Sequence, residues 1–551
     1  MKIRNLQIGS QHRWCAVLLL AVLVSVPLCA QQQMPRLEHQ NGRFALLVDG
    51  QPYLMLGAQV GNSSGWPARL ETLWPLASDM HVNTLEVPVY WEQLEPAEGQ
   101  FDYSVVDAIV QQARAHHTHL ILLWFGTWKN GKMHYVPDWV KQDTKRFPRE
   151  ITREGKQIDV LSPNSPANLQ ADATAFAHLM AHLRTIDGTQ HTVIMMQVEN
   201  ESGSLGSMRD FSPAAQKEFD APVPTAILNA FDDKPAGTWK QVFGDDADEA
   251  FATYSTASYI DKVAEAGKKE MPLPMYVNNW LKSPRGYPII TIPGVDYPSG
   301  GPTANMLDMW KAAAPHIDVL APDIYVPNTE RYELVMRQFH RPDNPLFIPE
   351  TNGFGPFPGA EGSARNEFLA LGQGAIGFSP FGLDRAASAP DDKLNIEAAG
   401  FAENNRLLGS MARVLAQLQF AGKIQTAVQQ PGIGQVELTF GPWSALVSFA
   451  PGADVPGGSG RLSPSERLMM GRVLVAPIGP DEFLVTGIDA RVEFLCTPPA
   501  GDRQTELVRV EQGHYDGTAW KFERLWNGDE TDHGLNFRSP GAILHVKLGS
   551  Y

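Results

Sequence analysis

The segment TVIMMQVENESG, residues 192–203, passes abruptly from an apolar run into a polar cluster. That cluster contains two carboxyl groups, Glu199 and Glu201. A second segment, LFIPETNG at residues 346–353, repeats the pattern around Glu350. A short apolar run that ends in acidic residues is typical of a buried strand that delivers functional groups to the mouth of a barrel. Two carboxyl groups delivered in this way are what the cleavage of a glycosidic bond requires.

Short apolar runs alternate with longer amphipathic stretches from about residue 37 to about residue 415. The eight runs lie at residues 53–58, 84–89, 120–125, 193–198, 275–280, 319–325, 346–349 and 375–380. This alternation predicts βα units and a parallel sheet, and eight strands in series predict an α/β fold with a closed (β/α)8 barrel. Residues 168–183 have the apolar spacing of a helix. The long stretch from about 205 to 270 is predicted to be an insertion after the fourth strand, near the mouth.

The pattern of apolar and polar residues changes after residue 422. Short alternating runs separated by turn residues predict a C-terminal β-sandwich. We therefore predict a barrel domain at residues 31–422 and a sandwich domain at residues 423–551. Residues 451–460 are rich in glycine and proline, which predicts a surface loop.

The first 30 residues have the pattern of a signal peptide. A basic start and an apolar core are followed by a plausible cleavage site after Ala30. The alternatives are an uncleaved membrane anchor and a lipid anchor on Cys29. We expect an exported protein, periplasmic or extracellular, with no later membrane span. Cys496 would be the one cysteine left in the mature chain, so no internal disulfide is expected, and its apolar run predicts a core position.

Composition limits the partners. Of the 551 residues, 43% are apolar and 19% are charged, as in a globular protein. A net charge of −16 argues against nucleic acid or an anionic membrane surface as the main partner. The charge suits a neutral carbohydrate, and it leaves the oligomeric state open.

The two acidic strand ends define the candidate catalytic groups. Strands four and seven lie on opposite sides of a barrel mouth, so Glu201 and Glu350 can face each other across a sugar, as in retaining glycosidases. Side-chain alternation along a strand would place Glu199 on the same face as Glu201, so geometry alone allows either as the acid. The alternative is that these carboxylates are solvated or paired in salt bridges. Glu86, near strand two, is expected to have a structural or surface role, although it can also point into the barrel.

Aromatic side chains near strand ends are candidates for stacking on a sugar, with barrel packing as the alternative. These are Trp124, Trp128, Trp280 and Tyr325. Trp128 and Tyr325 lie just past their strands, and a tyrosine beside a carboxylate nucleophile can donate a hydrogen bond that keeps it ionised. The histidines at 116, 117 and 119 precede strand three and are expected in a solvated turn. We therefore expect no metal and no organic cofactor.

The motif QVENE at residues 197–201 resembles the strand-four motif of glycoside hydrolase family 35, the β-galactosidases. The resemblance implies that Glu201 is the acid/base, that Asn200 holds the sugar 2-hydroxyl and that Glu350 is the nucleophile. Residues 87–102 are similar to the strand-two segment of families 35 and 42. Residues 136–139, VPDW, resemble the Pro-x-Trp element that follows strand three in these families. The C-terminal sandwich resembles the accessory domain of a bacterial subgroup of family 35.

The chain also departs from that pattern. Ser202 stands where many members have tyrosine, and Gly126, Thr127 and Trp128 stand where many have Ala-Glu-Trp. The resemblance implies an exo-acting retaining hydrolase of terminal β-D-galactosides, with plant cell-wall side chains or released oligosaccharides as substrates. One alternative is another β-glycosidase of the same clan, such as a β-glucosidase or an endo-glycanase. The other is a non-catalytic carbohydrate-binding protein on this scaffold.

Overall fold

The computed structural model describes residues 33–231, 234–283, 290–326, 328–353, 362–388, 393–449, 470–496 and 503–551. The predicted signal peptide, with Cys29, and the predicted loop at 451–460 lie outside these residues. The described part of the chain belongs to one compact unit that runs from Gln33 to Tyr551.

The strands of the N-terminal three quarters, in chain order, are β1 (Arg36–Gln40), β2 (Arg43–Val48), β3 (Gln51–Tyr53), β4 (Met55–Gln59), β5 (Thr84–Tyr90), β6 (His119–Lys129), β7 (Arg149–Ile151), β8 (Gln157–Leu161), β9 (Val193–Asn200), β10 (Met275–Trp280), β11 (Val319–Ile324), β12 (Ile348–Thr351), β13 (Gly377–Pro380), β14 (Ala387–Ser388) and β15 (Lys393–Leu394). The helices are α1 (Pro67–Glu71), α2 (Trp74–Asp79), α3 (Trp91–Leu94), α4 (Ser104–Ala115), α5 (Asp138–Gln142), α6 (Pro166–Asp187), α7 (Pro213–Phe219), α8 (Thr225–Ala230), α9 (Trp239–Phe243), α10 (Ala247–Glu270), α11 (Leu307–Ala313), α12 (Thr329–Phe339), α13 (Arg365–Gly372), α14 (Ile396–Ser410) and α15 (Ala412–Phe420).

Eight parallel strands, β4, β5, β6 and β9 to β13, close into a barrel, which confirms the predicted (β/α)8 fold. Each strand overlaps the apolar run that predicted it. The first run, 53–58, spans the end of β3 as well as β4, because β3 belongs to a small antiparallel sheet that precedes the barrel. Leu46 and Val48 of that sheet join the inner core of the barrel, alongside Met55 and Phe347.

The insertion between β9 and β10 is shorter than predicted. Its last helix, α10, packs against α6 and is the ordinary helix between two barrel strands. Helices α7 to α9 form the insertion itself. The stretch from about 205 to 270 contains little strand signal, so the sequence does not show where the insertion ends and α10 begins.

The C-terminal part is an antiparallel β-sandwich, as predicted. Its strands are β16 (Gln425–Val428), β17 (Gln435–Phe440), β18 (Trp443–Ser448), β19 (Arg472–Gly479), β20 (Glu482–Ile488), β21 (Ala490–Cys496), β22 (Thr505–Asp516), β23 (Ala519–Leu525), β24 (Leu535–Phe537) and β25 (Ala542–Ser550). Strands β17, β18, β21 and β24 form one sheet, and the other six form the second. Both sheets contribute to one apolar core, with Val447 and Val492 from the first and Val485 and Leu544 from the second.

Two further predictions concern cysteine and membranes. Cys496 ends β21 and is half-buried, packed against the sandwich core. Within the part of the chain that the structure describes, no helix has the length and apolar character needed to cross a membrane.

Candidate active site

Three carboxyl groups meet at the C-terminal ends of the barrel strands. Glu201 follows β9, Glu350 lies in β12, and Asp323 lies in β11 in register with Glu350. One carboxylate oxygen from each lies within 4.8 Å of the other two. Glu201 and Glu350 are only 8% and 6% exposed. Retaining glycosidases place their two carboxyl groups about 5–5.5 Å apart, so this pair is close enough for a covalent mechanism.

Asn278, in β10, positions the backbone of Glu201. Its side-chain Oδ1 accepts a hydrogen bond of 2.8 Å from the backbone N–H of Glu201. Its Nδ2 donates to Oδ2 of Asp323 at 2.7 Å. One amide therefore ties together the acid that follows β9 and the acid of β11.

Two members of this cluster, Glu201 and Asp323, have raised pKa values. Burial, and then the charge of Glu350, raise the pKa of Glu201 to about 7, although the Lys129 ammonium and a hydrogen bond with Asp323 lower it in part. Burial and the neighbouring charges of Glu350 and Glu201 raise the pKa of Asp323 well above its usual range. A carboxyl that stays protonated near neutral pH can act as a general acid.

Tyr325 follows β11 and points its hydroxyl at the opposing carboxylate. It donates a hydrogen bond of 2.5 Å to Oε1 of Glu350. Burial and the charge of Glu350 raise the pKa of Tyr325 well above its usual range, so the hydroxyl keeps its proton. A donated hydrogen bond stabilises the ionised form of a carboxyl group. This is the arrangement that the sequence suggested for a tyrosine beside the nucleophile.

Lys129 and Asn200 line the same mouth. Lys129 ends β6 and donates from Nζ to Oδ1 of Asn200 at 2.8 Å. This bond orients the amide so that Nδ2 of Asn200, although buried, has no hydrogen-bond partner among the described residues. A buried donor of this kind is available to a bound hydroxyl or water.

The aromatic candidates divide between the mouth and the core. Tyr325 contacts Glu350, and Trp280 is half-buried at the end of β10, in register with Asp323. Trp128 is completely buried and packs edge-to-face on Tyr259.

Trp124 does not line the mouth. Its Nε1 donates to Asp172 of α6 at 2.9 Å, and its ring packs on Phe176. Barrel packing, the alternative weighed above, accounts for this residue, because the even-numbered positions in this part of β6 face the helices. Leu120, Leu122 and Trp124 belong to the outer core, whereas Ile121, Leu123 and Phe125 belong to the inner core.

Glu199 does not share a face with Glu201, so that expectation from strand alternation is wrong. Its backbone is in the left-handed region, with φ of 63°, and Glu201 also has a positive φ, of 43°. The carboxylate of Glu199 turns toward β6, where its Oε2 accepts a 2.7 Å hydrogen bond from the backbone N–H of Trp128. Glu201 is therefore the acid of this motif that faces Glu350.

Glu86 is a buried acid that points into the barrel, beneath the carboxyl cluster. Its Oε2 accepts a 2.8 Å hydrogen bond from the hydroxyl of Tyr276, a residue of the inner core. Burial raises the pKa of Glu86 to about 8, and the charge of Glu350 adds to the effect.

Further buried polar groups lack partners within the described ranges. They include side-chain atoms of Gln59, Gln197, Ser202 and Asn279. All of these residues lie in barrel strands or directly after one, so a polar ligand or ordered water can satisfy them.

Asp323, Lys129, Asn278 and Glu86 were not identified as site residues from the sequence. For Asp323 a signal was present, because Pro-Asp-Ile-Tyr at 322–325 ends the sixth apolar run with an acid two positions before Tyr325. For Lys129 the only signal is a cation shortly after the third run. Its approach to Asn200 depends on a bulge in β6.

The carboxyl cluster has the geometry of a cation site as well. Glu201, Asp323 and Glu350 form one of two such groups that the described residues contain, the other being Asp261, Glu265 and His316. An all-oxygen donor set suits a hard cation. The positive charge of Lys129 already acts on Glu201 and Asp323, however, and it would oppose a divalent ion. In the second group, the ammonium of Lys262 lies near Asp261 and Glu265, and it would oppose a divalent ion there too.

The fold and the site together define a class. A (β/α)8 barrel with two opposed carboxyl groups at its mouth, one of them with a raised pKa, is the arrangement of a retaining glycoside hydrolase. Residues 66–259 match the family model for glycoside hydrolase family 42, described as beta-galactosidase. Residues 401–538 match a model described as a domain of unknown function, DUF5597. The named family is 42, and family 35, which the QVENE motif resembles, is not supported by these matches.

Individual proteins are also similar to this chain. A beta-galactosidase of Xanthomonas manihotis is 29% identical over 199 residues, which are 34% of this chain and 30% of that protein. The chain thus matches under a third of that relative's length. The solved beta-galactosidase of Bacillus circulans sp. alkalophilus is 11% identical, with a TM-score of 0.50 over 90% of this chain and 99% of that one. The beta-galactosidase of Marinomonas ef1 is also 11% identical, with a TM-score of 0.47 over 66% and 61%. At such identities, structural likeness concerns the fold alone.

Proposed function

We propose that this protein is an exo-acting retaining glycoside hydrolase that removes terminal β-D-galactosyl residues from oligosaccharides or polysaccharides. The observation that carries the proposal is the pairing of Glu201 and Glu350 across the mouth, with a hydrogen bond donated to Glu350 by Tyr325. The raised pKa of Glu201 supports its role as the acid. The choice of galactose is supported by the beta-galactosidase family that residues 66–259 match.

The first chemical step forms a covalent intermediate. The Glu350 carboxylate attacks the anomeric carbon, and the bond from that carbon to the glycosidic oxygen breaks. Glu201 gives its proton to the departing oxygen, so the aglycone leaves as a neutral alcohol. Tyr325 orients the attacking carboxylate through its hydrogen bond to Oε1 of Glu350.

The second step releases the sugar. Glu201, now ionised, takes a proton from water, and the resulting hydroxide attacks the anomeric carbon and displaces Glu350. Two inversions give net retention of configuration. Both carboxyl groups then return to their starting protonation states, so no other reagent is consumed.

Sugar binding is assigned to the groups that face the mouth. Nδ2 of Asn200 is free, within the described structure, to donate to a sugar hydroxyl, and this agrees with the role that the resemblance implied. Trp280 supplies an aromatic surface beside Asp323. Export by the predicted signal peptide would bring the enzyme to extracellular polymers, and plant cell-wall side chains are the substrates we propose within that class.

Two experiments test this function. Wild-type enzyme should hydrolyse nitrophenyl β-D-galactoside faster than the corresponding glucoside, mannoside and arabinoside. A preference for the glucoside would favour another β-glycosidase of the clan. Binding of galactosides without any turnover would favour a carbohydrate-binding protein.

The second experiment identifies the nucleophile. Glu350→Ala should abolish turnover, and azide should restore it with a product of inverted configuration, because azide enters the space that the carboxylate leaves. Failure of azide at position 350, together with rescue at another acid, would show that Glu350 is not the nucleophile.

A further inference from the structure

A second pair of acids lies behind the active site, outside the barrel interior. Glu199 of β9 and Asp172 of α6 are buried, with exposed fractions of 1% and 0%. Both carboxyl groups lie against the backbone of Gly126. Neither residue takes part in the proposed chemistry, so their burial calls for another explanation.

The pair fills a bulge between β6 and β9. Trp124 pairs with Val198 and Lys129 pairs with Asn200, so five steps along β6 correspond to two steps along β9. The residues between them leave the ladder, and the carboxylate of Glu199 accepts the backbone N–H of Trp128. The side chain of Glu199 thus replaces a strand partner for this part of β6.

Gly126 lies at the same bulge and shows how closely the pair is packed. A Cβ at this position would lie 2.7 Å from Oε1 of Glu199 and 2.9 Å from Oδ1 of Asp172. Such contacts are too short for a real Cβ. The glycine therefore leaves the space that the two carboxyl groups occupy.

Asp172 is already supplied with donors. Its oxygens accept hydrogen bonds from Trp124 Nε1 at 2.9 Å, from Thr127 Oγ1 at 2.6 Å and from the Tyr259 hydroxyl at 3.2 Å. In contrast, none of the described residues aims an N–H or O–H at Oε1 of Glu199. Two carboxyl groups packed this closely can hydrogen-bond to each other only if one of them is protonated. Burial, and then the charge of Asp172, raise the pKa of Glu199 well above its usual range.

The bulge connects this pair to the catalytic acid. Glu199 and Glu201 both have left-handed backbone conformations, which persist in non-glycine residues only where the surroundings enforce them. The backbone N–H of Asn130 donates to the carbonyl of Asn200, and that of Gly131 donates to the carbonyl of Glu201. The same bulge delivers Lys129 to Asn200.

We propose that Glu199 is a positioning residue: its carboxyl, bound to the backbone N–H of Trp128 and packed beside Asp172, holds the end of β9 in the backbone conformation that aims Glu201 at the leaving-group oxygen. This inference rests on the proposed hydrolase function. It assigns the first acid of the motif to orientation and the second to proton transfer.

The test compares leaving groups. Rates (kcat/KM) are measured for aryl β-D-galactosides that range from dinitrophenyl, which departs without a proton, to poor leaving groups that need one. In Glu199→Leu we expect a loss of about 100-fold for the poorest leaving group, as for a catalytic group displaced by about 1 Å, and a much smaller loss for dinitrophenyl. Glu199→Gln should recover most of the rate on the poor substrates, because its amide oxygen can accept from the backbone N–H of Trp128 and its N–H can donate to Asp172.

A matched control separates positioning from general damage. Glu367, in α13, is another buried acid with a raised pKa, and it accepts a hydrogen bond from Asn404. Glu367→Leu should not change the dependence on the leaving group, even if it lowers the yield of folded enzyme. If Glu199→Leu does not fold, Thr127→Val, which removes one donor to Asp172, should show the same dependence with a smaller amplitude.

The outcomes are distinguishable. An equal loss across all leaving groups in both Glu199→Leu and Thr127→Val, or no loss, would overturn the positioning role while leaving the hydrolase intact. An absence of turnover in the wild type on every galactoside would instead overturn the proposed function. A loss that grows with the leaving-group pKa in the Glu199 variant but not in Glu367→Leu supports the inference.

Discussion

The hydroxyl of Tyr325 lies 2.5 Å from Oε1 of Glu350, the shortest approach between any side chain described above and the proposed nucleophile. The two residues come from neighbouring strand ends, since β11 and β12 are paired in register. The hydroxyl restrains one oxygen of the carboxylate through a charge-assisted hydrogen bond. The relationship leads directly to a kinetic prediction.

Tyr325→Phe should lower kcat/KM for nitrophenyl β-D-galactoside by about 10- to 100-fold, because a hydrogen bond to a charged group contributes about 1.5–3 kcal/mol. Thermal stability should change little by comparison. Tyr332→Phe is the matched control, since the Tyr332 hydroxyl contacts Thr351 at 3.0 Å in the outer core rather than a carboxyl group. Equal losses in both variants would contradict a specific role for Tyr325.

The raised pKa of Glu201 sets the expected pH dependence. Because its pKa is raised to about 7, kcat/KM should fall as the pH rises through about 7, when the general acid loses its proton. Glu201→Gln should remove this basic limb for dinitrophenyl β-D-galactoside, whose leaving group needs no proton. A basic limb that persists in Glu201→Gln at the same pH would assign the titration to another group.

The barrel could be predicted from the sequence because its strands are buried on both faces. Such strands are continuous apolar runs, so eight of them were visible without any knowledge of register. The end of the insertion could not be located in this way. One side of helix α10 packs on α6, and another side carries charged residues that face solvent. The sequence does not show that α6 is its neighbour.

Glu201 and Glu350 could be recognised because each one ends an apolar run. Asp323 and Lys129 could not, because their approach depends on strand register and on the bulge in β6. The orientation of Glu199 was also hidden. A left-handed φ reverses the side-chain alternation of a strand, and nothing in Val-Glu-Asn-Glu at 198–201 signals that conformation.

Lys129 should affect the pH at which Glu201 loses its proton. Its ammonium lowers the pKa of Glu201, so Lys129→Met should move the basic limb of kcat/KM to higher pH. The rate at the optimum should also fall, because Asn200 loses the bond that orients its amide. Lys132→Met is a control in the same loop and should leave the position of the limb unchanged. A shift to lower pH in Lys129→Met would contradict the electrostatic account.

Removal of divalent metal should not affect the reaction. The proposed mechanism moves protons only between Glu201, water and the leaving group, and the charge of Lys129 acts where a cation would sit. Activity after dialysis against EDTA should therefore equal that of untreated enzyme, and added Mg²⁺ or Mn²⁺ should not raise it. A loss that is restored by one of these ions would assign the carboxyl cluster to metal binding.

Glu86 should make stability depend on pH. Its pKa rises from 4.5 to about 8 on folding, so its contribution to the free energy of unfolding is fully present below about pH 4.5 and is lost as the pH rises through about 8. Glutamine stays neutral at every pH, so Glu86→Gln should stabilise the protein relative to the wild type more at pH 9 than at pH 5. Thermal unfolding at the two pH values measures this difference. Glu506→Gln, at an exposed carboxyl of β22, should show no such difference, and the same result for Glu86→Gln would mean that Glu86 is ionised in the folded protein.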